Sequence, residues 1–262
     1  MNTYSGIDVS SHNGVINWQK VKSHVSFVMI RAGYGQNTID EMFKTNAYGC
    51  TNNKIPFGVY WFSYAHSVND AIKEAKKCLS VVKSFSLSLP IAFDFEYDSI
   101  EHAKKHGVII DGKLMAEIAK AFLDEVKKSG YPVLLYTNPD LWNKGFKKLG
   151  TAYPIWCAHW GADKPGVYCD IWQDSCSGTM EGIETKVDTN ISYKEYKLVS
   201  NSETVDAKIK AVNDTFCAKY KGVATAIING AYGNGNTRKA KLIAEKLDPE
   251  FAQALVNAMV GE

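Results

Sequence analysis

Short apolar runs alternate with amphipathic stretches from the start of the chain to about residue 195. Apolar positions recur three or four residues apart at Asp70–Phe85 and Lys113–Lys128, which predicts two amphipathic helices. The runs typical of strands end in polar or acidic residues and are Ser5–Ser10, Phe27–Ala32, Phe57–Tyr64, Pro90–Glu96, Pro132–Asn138 and Tyr153–Trp160. Strand–helix alternation repeated this often favours a parallel sheet or a β/α barrel.

The alternation of strand and helix patterns stops after Trp160. Tyr168–Asp174 and Glu184–Ile191 lie on either side of a turn region at Ser177–Thr179, which predicts a hairpin rather than another strand–helix–strand unit. We therefore expect an α/β fold, an irregular β/α barrel of about five β/α units that finishes with antiparallel strands.

The last part of the chain carries no strand pattern. A polar stretch at 199–205 predicts a linker. The helical patterns beyond it are Val205–Tyr220, Val223–Ile228, Arg238–Leu247 and Pro249–Val260. We therefore expect a barrel domain at 1–198 and a small all-α module at 206–262, called the C-terminal module below. A module this small is only marginally stable alone, and binding is its expected role.

The composition of the chain limits the classes of partner that we expect. The chain is 45% hydrophobic and 22% charged, a globular mix, and its net charge of +2 gives no electrostatic basis for nucleic acid as the main ligand. No apolar stretch approaches the roughly 18–20 residues that span a membrane. The first residues, MNTYSGIDVSSHNG, lack the basic and then apolar run of a signal peptide. We expect no membrane insertion, and synthesis in the cytoplasm without a signal peptide.

The six cysteines show no metal-binding pattern. They are spread thinly and form no C-x-x-C pair, and Cys157 with His159 alone is a weak signal for zinc. We expect neither a metal nor a cofactor. Cys169 and Cys176 flank a predicted turn, and free thiols and a disulfide both remain open for them.

Four carboxylates lie at predicted strand ends: Asp8 in the first strand, Asp94 and Glu96 in the fourth, and Asp188 near the last. The working residues of β/α barrels lie at the carboxyl ends of strands. Residues i and i+2 share one face of a strand, which places Asp94 beside Glu96. Clustered carboxylates raise one another's pKa, which keeps one of them protonated as a general acid near neutral pH.

Aromatic residues are abundant, with 6 Trp, 14 Tyr and 11 Phe. Those at strand ends offer apolar faces on which sugar rings stack, and ordinary barrel packing is the alternative for each. The candidates for a glycan groove are Tyr60, Trp61, Tyr136, Trp156, Trp160 and Trp172. The hydroxyls of Tyr60 and Tyr136 suit hydrogen bonds to an acetamido group. Arg31 either pairs with the carboxylates or forms a surface salt bridge.

Six short motifs occur between about residues 4 and 195. They are Asp8-Val9-Ser10, Tyr60-Trp61-Phe62, Asp94-x-Glu96, Trp156-x-Ala158, Trp172-Gln173 and Val187-Asp188-Thr189-Asn190. In this order they resemble the family-25 glycoside hydrolases, the muramidases known as Chalaropsis-type lysozymes. The resemblance implies that family's irregular barrel. It also implies hydrolysis of the β-1,4 bond between N-acetylmuramic acid and N-acetylglucosamine in bacterial peptidoglycan.

The same resemblance implies a role for each carboxylate. Glu96 would be the general acid that protonates the leaving oxygen. Asp94 would position the acetamido group of the muramic residue or stabilise positive charge beside it, while Asp8 and Asp188 would shape the field and hold the other acids. A carboxylate nucleophile with retention and attack by the substrate's own N-acetyl group both remain open as mechanisms.

The C-terminal module carries Ala226–Gly235, Arg238 and Val256-Asn257, which resemble a short cell-wall-binding repeat of the CW-seven type. The chain departs from that pattern at Tyr232, where a Trp is usual, and in having a single copy. The resemblance implies that Gly235 and Arg238 help to bind the muropeptide. One weak site on a polymeric wall gains from multivalency, and we expect self-association through or beside this module.

Such repeats follow muramidase domains in some phage lysins, and the leading hypothesis is therefore a phage endolysin released through a membrane pore. Three other functions fit the same residues. A metal-dependent hydrolase would hold Mg²⁺ or Ca²⁺ on the carboxylates, a wall-binding protein would keep the barrel without activity, and a chitinase-like enzyme shares the acid-pair chemistry. The muramidase hypothesis predicts activity that survives chelation, releases reducing ends from cell walls and turns over little chitin.

Overall fold

The computed structural model of the chain describes residues 2–198, 219–245 and 247–260. The chain divides into two compact units, Met1–Val199 and Ser200–Glu262. The expected linker at 199–205 and the expected start of the C-terminal module at 206 lie outside the described residues, and those two boundaries stay predictions.

Within the described residues of the first unit, nine strands form one sheet. They are β1 (Tyr4–Val9), β2 (Phe27–Tyr34), β3 (Thr38–Ile39), β4 (Phe57–Phe62), β5 (Ile91–Asp94), β6 (Val133–Thr137), β7 (Ile155–Ala158), β8 (Ile171–Gly178) and β9 (Val187–Ser192). The sheet order is β1-β9-β8-β7-β6-β5-β4-β2-β3, and β1 also pairs with β2. Eight strands therefore close a barrel, and β3 lies outside it as an antiparallel partner of β2.

Helices follow individual strands of the barrel. They are α1 (Trp18–Val21), α2 (Phe43–Asn53), α3 (Val68–Val82), α4 (Tyr97–Lys105), α5 (Gly112–Lys128) and α6 (Pro139–Lys144), with 3-10 turns at Ser11–Asn13 and Phe146–Leu149. In this described part of the chain, β1, β2, β4, β5 and β6 each lead into at least one helix before the next barrel strand. This agrees with the expected number of β/α units.

The strand directions confirm the irregular barrel. From β1 through β2, β4, β5, β6 and β7 to β8, each strand runs parallel to the next. The last strand, β9, runs antiparallel to both β8 and β1. The predicted hairpin is therefore present, although β8 also belongs to the parallel series. The antiparallel register of β9 sets Asp188 directly opposite Asp8.

Side chains of the barrel strands alternate between two apolar layers. The inner layer fills the barrel and includes Phe27, Met29, Leu134, Trp156 and Ile171. The outer layer packs between the strands and the helices and includes Ile7, Val28, Val59, Phe93 and Leu135. The inner apolar residues form the floor beneath the carboxyl ends of the strands, where polar inward-facing residues replace them.

Side-chain caps set where several helices begin. Ser67 accepts a hydrogen bond from the Asp70 backbone before α3, and Asp111 accepts two from the first turn of α5. Asn138 caps α6, which has Pro139 at its first position. These caps end the loops at the carboxyl side of the barrel, and so they help to fix the rim of the site.

The second unit is helical in its described part, with residues 219–228 (α7), Gly235–Ala244 (α8) and Pro249–Val260 (α9). Its apolar core includes Tyr220, Val223, Ile227, Leu242 and Val256. The predicted break between Tyr220 and Val223 is wrong, because both residues pack into this core on one uninterrupted helix. The segment expected to begin at Arg238 starts earlier, at Gly235, after Asn234 takes the N-cap position. Most of the predicted helix Val205–Tyr220 lies outside the described residues.

Five of the cysteines lie in the described residues, and all five are free thiols: Cys50, Cys78, Cys157, Cys169 and Cys176. The Cys169–Cys176 disulfide left open by the sequence is therefore absent, and Cys217 lies outside the described residues. No described helix combines the length and the apolar character needed to cross a membrane.

Candidate active site

A cavity of about 320 Å³ lies at the carboxyl ends of the barrel strands, and we call it the central cavity. The residues that line it are Asp8, Ser10, His12, Asn13, Arg31, Tyr60, Phe62, Asp94, Glu96, Tyr136, Trp156, Gln173, Lys186 and Asp188. All four carboxylates expected at strand ends are in this set. The topology thus gathers Asp8 from β1, Asp94 from β5, Glu96 from the N-cap of α4 and Asp188 from β9 into one place.

Two amide side chains hold the Asp8–Asp188 half of the cavity. Gln173 Nε2 donates to Asp8 Oδ1 at 2.9 Å and to Asp188 Oδ2 at 3.3 Å. Asn190 Nδ2 donates to the same Asp8 oxygen at 2.8 Å. Both amides are buried, with 2% of their surfaces exposed. The carboxyl of Asp8 is therefore fixed by two donors on neighbouring strands.

Aromatic donors in turn orient these amides. Tyr136 Oη and Trp160 Nε1 both donate to Gln173 Oε1 at 2.9 Å. Trp156 Nε1 donates to Asn190 Oδ1 at 2.7 Å. With each amide oxygen accepting from an aromatic residue, each amide nitrogen is turned toward the carboxylates. The aromatic residues of the rim thus act on the acids through Gln173 and Asn190.

The Asp94–Glu96 half is built differently. Asp94 ends β5, and Glu96 takes the N-cap position of α4 with an extended backbone. Phe93 and Phe95 stack on each other in the outer apolar layer, with ring centroids 6.1 Å apart. The alternation therefore turns Asp94 and Glu96 to the other side, as expected. Asp94 Oδ1 is buried and has no hydrogen-bond partner among the described residues.

Burial raises the pKa of each acid on the Asp8 side. It is the main cause that brings the pKa of Asp8 to about 8, and the negative charge of Asp188 adds to it. The pKa of Asp188 is also raised, again through burial. Both acids therefore keep their protons to a higher pH than free carboxyls do.

The other two acids are shifted in the same direction. Burial, followed by the negative charges of Glu96 and Asp8, holds the pKa of Asp94 well above its usual range. Burial, followed by the charges of Asp98 and Asp188, raises the pKa of Glu96 to about 7. A carboxyl with a pKa near 7 can donate its proton at neutral pH and regain it, which is the property that a general acid needs.

Three of the six aromatic candidates line the central cavity. Tyr60 and Tyr136 both pack edge-on against Trp156, with centroid distances of 5.9 and 4.8 Å. Trp160 lies next to this group, is 51% exposed and reaches it through its bond to Gln173. Tyr60, Tyr136 and Trp156 thus form part of the cavity wall, and Trp160 is linked to that wall through Gln173.

Trp61 and Trp172 do not line the central cavity. Trp61 is fully buried in the outer layer and donates to the Gly35 carbonyl. Trp172 packs with Ile155 and Cys169 and donates to the His159 carbonyl. The expectation that they lie in a glycan groove is therefore wrong. Each is one residue away from an inward-facing position and so faces the opposite side of its strand.

Arg31 lines the cavity, but its partner is none of the four acids. Its Nε donates to Asp40 Oδ2 at 2.8 Å, and one terminal nitrogen donates to Ser11 Oγ at 3.1 Å. The Asp40 side chain is 1% exposed and that of Arg31 is 13% exposed. The pair is therefore neither a bridge to the carboxylate cluster nor a surface salt bridge, which corrects both alternatives.

Among the described residues, no three His, Cys, Asp or Glu side chains are arranged to hold a metal ion. Two of the four acids accept hydrogen bonds from amides instead: Asp8 from Gln173 and Asn190, and Asp188 from Gln173.

In the second unit, Gly235 begins α8 with φ of 53°, a backbone conformation that favours glycine. Arg238 donates to the Gly233 carbonyl, to Asn234 Oδ1 and to Gln253 Oε1, at 3.0, 3.1 and 2.6 Å. These bonds use three of its five N–H donors and tie the turn before α8 to α9. Both residues lie at one corner of the unit.

Sequence reasoning missed Gln173, Asn190 and Asp40 as members of the site. A signal was present for two of them. Gln173 and Asn190 belong to the quoted motifs, and Asn190 is two residues from Asp188 on β9 and so shares its face. For Asp40 the sequence carries no comparable signal, because the residue precedes α2 and reaches Arg31 only through the β3 turn.

Comparison with known proteins agrees with this geometry. The model of the glycosyl hydrolases family 25 matches residues 7–183, and the CW_7 repeat model matches residues 221–260. Lysozyme M1 of Streptomyces globisporus is 30% identical over 198 residues, which are 71% of this chain and 66% of that protein. This chain thus spans just under two thirds of that relative. The N,O-diacetylmuramidase of Arthroderma benhamiae is 29% identical over 184 residues, 65% of this chain and 76% of that protein.

A solved structure shows the same fold. The bacterial lysozyme from Streptomyces coelicolor superimposes with a TM-score of 0.64 at 27% identity, over 73% of this chain and 92% of that one. The family model covers more than half of the chain, from within β1 to just past the end of β8. The chain therefore belongs to glycosyl hydrolase family 25.

Proposed function

We propose that this chain hydrolyses the β-1,4 bond between N-acetylmuramic acid and N-acetylglucosamine in bacterial peptidoglycan. The observation that carries the proposal is the meeting of four carboxyls in the central cavity. Asp8 and Asp94 are buried, Glu96 and Asp188 are half-buried, and the pKa of Glu96 is raised to about 7. Membership of family 25 and the lysozyme and muramidase names of the relatives support it.

Glu96 is the general acid of this proposal. Its carboxyl is protonated over much of the population at neutral pH because burial raises its pKa to about 7. Proton transfer to the glycosidic oxygen turns the leaving sugar into an alcohol, and general acid catalysis of this kind contributes about 10²- to 10⁴-fold to the rate.

Asp94 assists at the muramic residue, on the other side of the bond that is cut. Its Oδ1 is buried in the cavity wall and has no partner among the described residues. A substrate acetamido group that hydrogen-bonds this carboxyl would be held beside the anomeric carbon. Buried polar groups are normally paired in folded proteins, which favours a partner supplied by the substrate.

Asp8 and Asp188 complete the electrostatic environment. The transition state of glycoside hydrolysis carries positive charge on the sugar ring. Negative charge held in a low-dielectric site stabilises that charge without further reorganisation. A carboxylate nucleophile and attack by the substrate's N-acetyl group both use Glu96 as the acid, and the proposal holds for either.

We assign the catalytic role to a domain at 1–198, joined by a linker at 199–205 to a wall-binding module at 206–262. The CW_7 match at 221–260 supports the second assignment. Gly235 and Arg238 would contribute to binding, Gly235 through its turn and Arg238 through its two remaining N–H donors. Self-association beside this module would raise the avidity for a polymeric wall.

The biological role that we propose is lysis by a phage endolysin that reaches the cell wall through a membrane pore. The pairing of a family-25 domain with a CW_7 repeat supports this role. Purified enzyme added from outside should therefore lyse only cells whose wall is exposed.

The release of reducing ends from purified peptidoglycan and from chitin, with and without EDTA, tests the proposed activity. We expect release from peptidoglycan at a rate that EDTA leaves within about twofold, and little or none from chitin. Loss of activity with EDTA would favour a metal-dependent hydrolase. Equal turnover of chitin would favour a chitinase-like enzyme, and no release at all would favour a wall-binding protein.

A further inference from the structure

A second cavity, of about 530 Å³, adjoins the central cavity, and we call it the side cavity. The two share His12, Arg31 and Phe62 in their walls. The further residues that matter here are Tyr34, Ile39, Glu41, Tyr64 and Asp98. A group attached to a sugar in the central cavity could thus reach the side cavity without crossing the protein surface elsewhere.

The charge of the side cavity is negative. Arg31 is the single Lys or Arg residue in the lining of this cavity. The buried Asp40 neutralises it, with 2.8 Å between Arg31 Nε and Asp40 Oδ2. Glu41 and Asp98 remain, both exposed to solvent, and neither forms an ion pair with any described residue. The cavity therefore attracts a cation and repels a carboxylate.

Another part of the wall of the side cavity is apolar. Phe62 and Tyr64 pack edge-on with ring centroids 5.1 Å apart, and Tyr34 packs edge-on against Tyr64 at 6.4 Å. Ile39, on the short strand β3, is 40% exposed beside them. Such a wall suits a methylene chain, and Arg31 lies over the Tyr34 ring, with 5.5 Å between its Cζ and the ring centroid.

The walls are fixed in place. Glu74 is fully buried on α3 and accepts hydrogen bonds from Ser63 Oγ at 2.5 Å and from the Tyr64 backbone N–H at 3.0 Å. On the other side, β3 is paired with β2 at Gly33 and Tyr34. The loop that carries Tyr64 and the turn that precedes Glu41 are thus held before any ligand binds, which lowers the entropic cost of binding.

We propose that the side cavity binds a protonated primary amine at the end of an aliphatic chain, supplied by the diamino acid in the peptide stem of the substrate. The inference rests on the proposed function, because the stem is attached to the muramic acid beside the bond that is cut. Glu41 and Asp98 would face the ammonium group, while Tyr34 and Tyr64 would contact the methylene groups.

A glucosamine residue that has lost its acetyl group also carries a primary amine. That amine is joined directly to the sugar ring and has no methylene chain. The aromatic wall therefore favours the stem as the source, and the experiment must separate the two sources.

The test compares KM and kcat on three soluble substrates: glycan fragments with free stem amines, the same fragments after acetylation of those amines, and peptide-free glycan that is partly N-deacetylated. Glu41→Gln and Glu41→Lys are the informative variants, because Glu41 is exposed and its replacement leaves the core intact. Glu117→Gln, at an exposed position on α5, is the matched control. Asp98 is left unchanged, because its charge contributes to the raised pKa of Glu96.

We expect acetylation of the stem amines to raise the KM of the parent protein. Glu41→Gln should raise KM on the free-amine fragments by about two- to fivefold, the usual size of an exposed charge pair. It should also narrow the difference between free and acetylated fragments, with Glu41→Lys having the larger effect and Glu117→Gln none.

Equal KM values of the parent on free and acetylated fragments would overturn the inference, as would a Glu41→Gln variant that behaves like Glu117→Gln. An effect of Glu41→Gln confined to the N-deacetylated glycan would overturn the assignment to the stem. Failure of the parent to release reducing ends from any substrate would instead contradict the proposed function.

Discussion

The two halves of the central cavity hold their carboxyls in different ways. Asp8 accepts hydrogen bonds from Gln173 and Asn190, and Gln173 also donates to Asp188. Across the cavity, Asp94 Oδ1 has no partner in the described part of the chain. Both halves are buried enough to raise the pKa of their acids, so burial alone does not separate them.

The difference indicates a division of labour. Acids whose oxygens are already bound to protein amides are held rigidly and act on the substrate mainly through their charge. An acid with an unbound oxygen, and a neighbour whose pKa lies near 7, can make and break hydrogen bonds during a reaction. We therefore assign proton transfer and substrate contact to the Asp94–Glu96 half, and preorganisation to the Asp8–Asp188 half.

The largest expected effect is that of Glu96→Gln. This change removes the transferable proton and keeps the size of the side chain, so kcat on peptidoglycan should fall by about 10³-fold. Circular dichroism and binding to walls should be unchanged. Glu101→Gln, at an exposed position on the same helix, is the control and should act like the parent. A Glu96→Gln enzyme that lyses walls near the parent rate would refute the assignment.

A comparison of Asp94→Asn with Asp188→Asn tests the division between the halves. Asp94→Asn should lower kcat by about 10²-fold, the usual cost of losing a group aimed at the reacting centre. Asp188→Asn should cost about tenfold, because field effects act at longer range and Asp8 remains. Initial rates on one soluble substrate give both values. Equal losses would show that the two halves are not specialised.

The pH dependence of kcat should follow the titration of Glu96. The pKa of Glu96 is raised from 4.5 to about 7, so the acid form is lost above that pH and kcat should fall about tenfold per unit there. The folded state binds this proton more tightly than the unfolded chain. The free energy of unfolding should therefore fall as pH rises from about 4.5 to 7. A rate that is flat from pH 6 to 9 would contradict the assignment.

The smallest expected effect on chemistry comes from deletion of residues 206–262, which leaves both halves of the cavity intact. Turnover of soluble fragments should stay within about twofold, while binding to insoluble walls should weaken by about tenfold or more through lost avidity. Pelleting with walls and initial rates on fragments measure the two quantities. Equal losses on both substrates would indicate that the module stabilises the barrel instead.

The sequence predicts the barrel and the four acids because both depend on local patterns. Asp8, Asp94 and Asp188 follow apolar strand residues, and the carboxyl ends of barrel strands must meet. It also predicts the alternation at Asp94 and Glu96, which the outward stacking of Phe93 and Phe95 explains.

The same alternation of side chains along a strand, applied more strictly, would have excluded Trp61 and Trp172 from the lining of the central cavity. Each is adjacent to a residue that faces the cavity, Tyr60 in one case and Gln173 in the other, so each must face the outer layer. The alternation along the strands does not predict the ion pair between Arg31 and Asp40. This ion pair depends on the path of the chain through the turn at β3, and the strand pattern does not encode that path.

The central claim is tested most directly by the products that the enzyme releases from purified peptidoglycan. Borohydride reduction followed by mass spectrometry identifies the sugar at each new reducing end. Our account predicts reduced N-acetylmuramic acid, the product of cleavage beside the Asp94–Glu96 pair. Reduced N-acetylglucosamine, or cleaved peptide bonds with intact glycan, would contradict it.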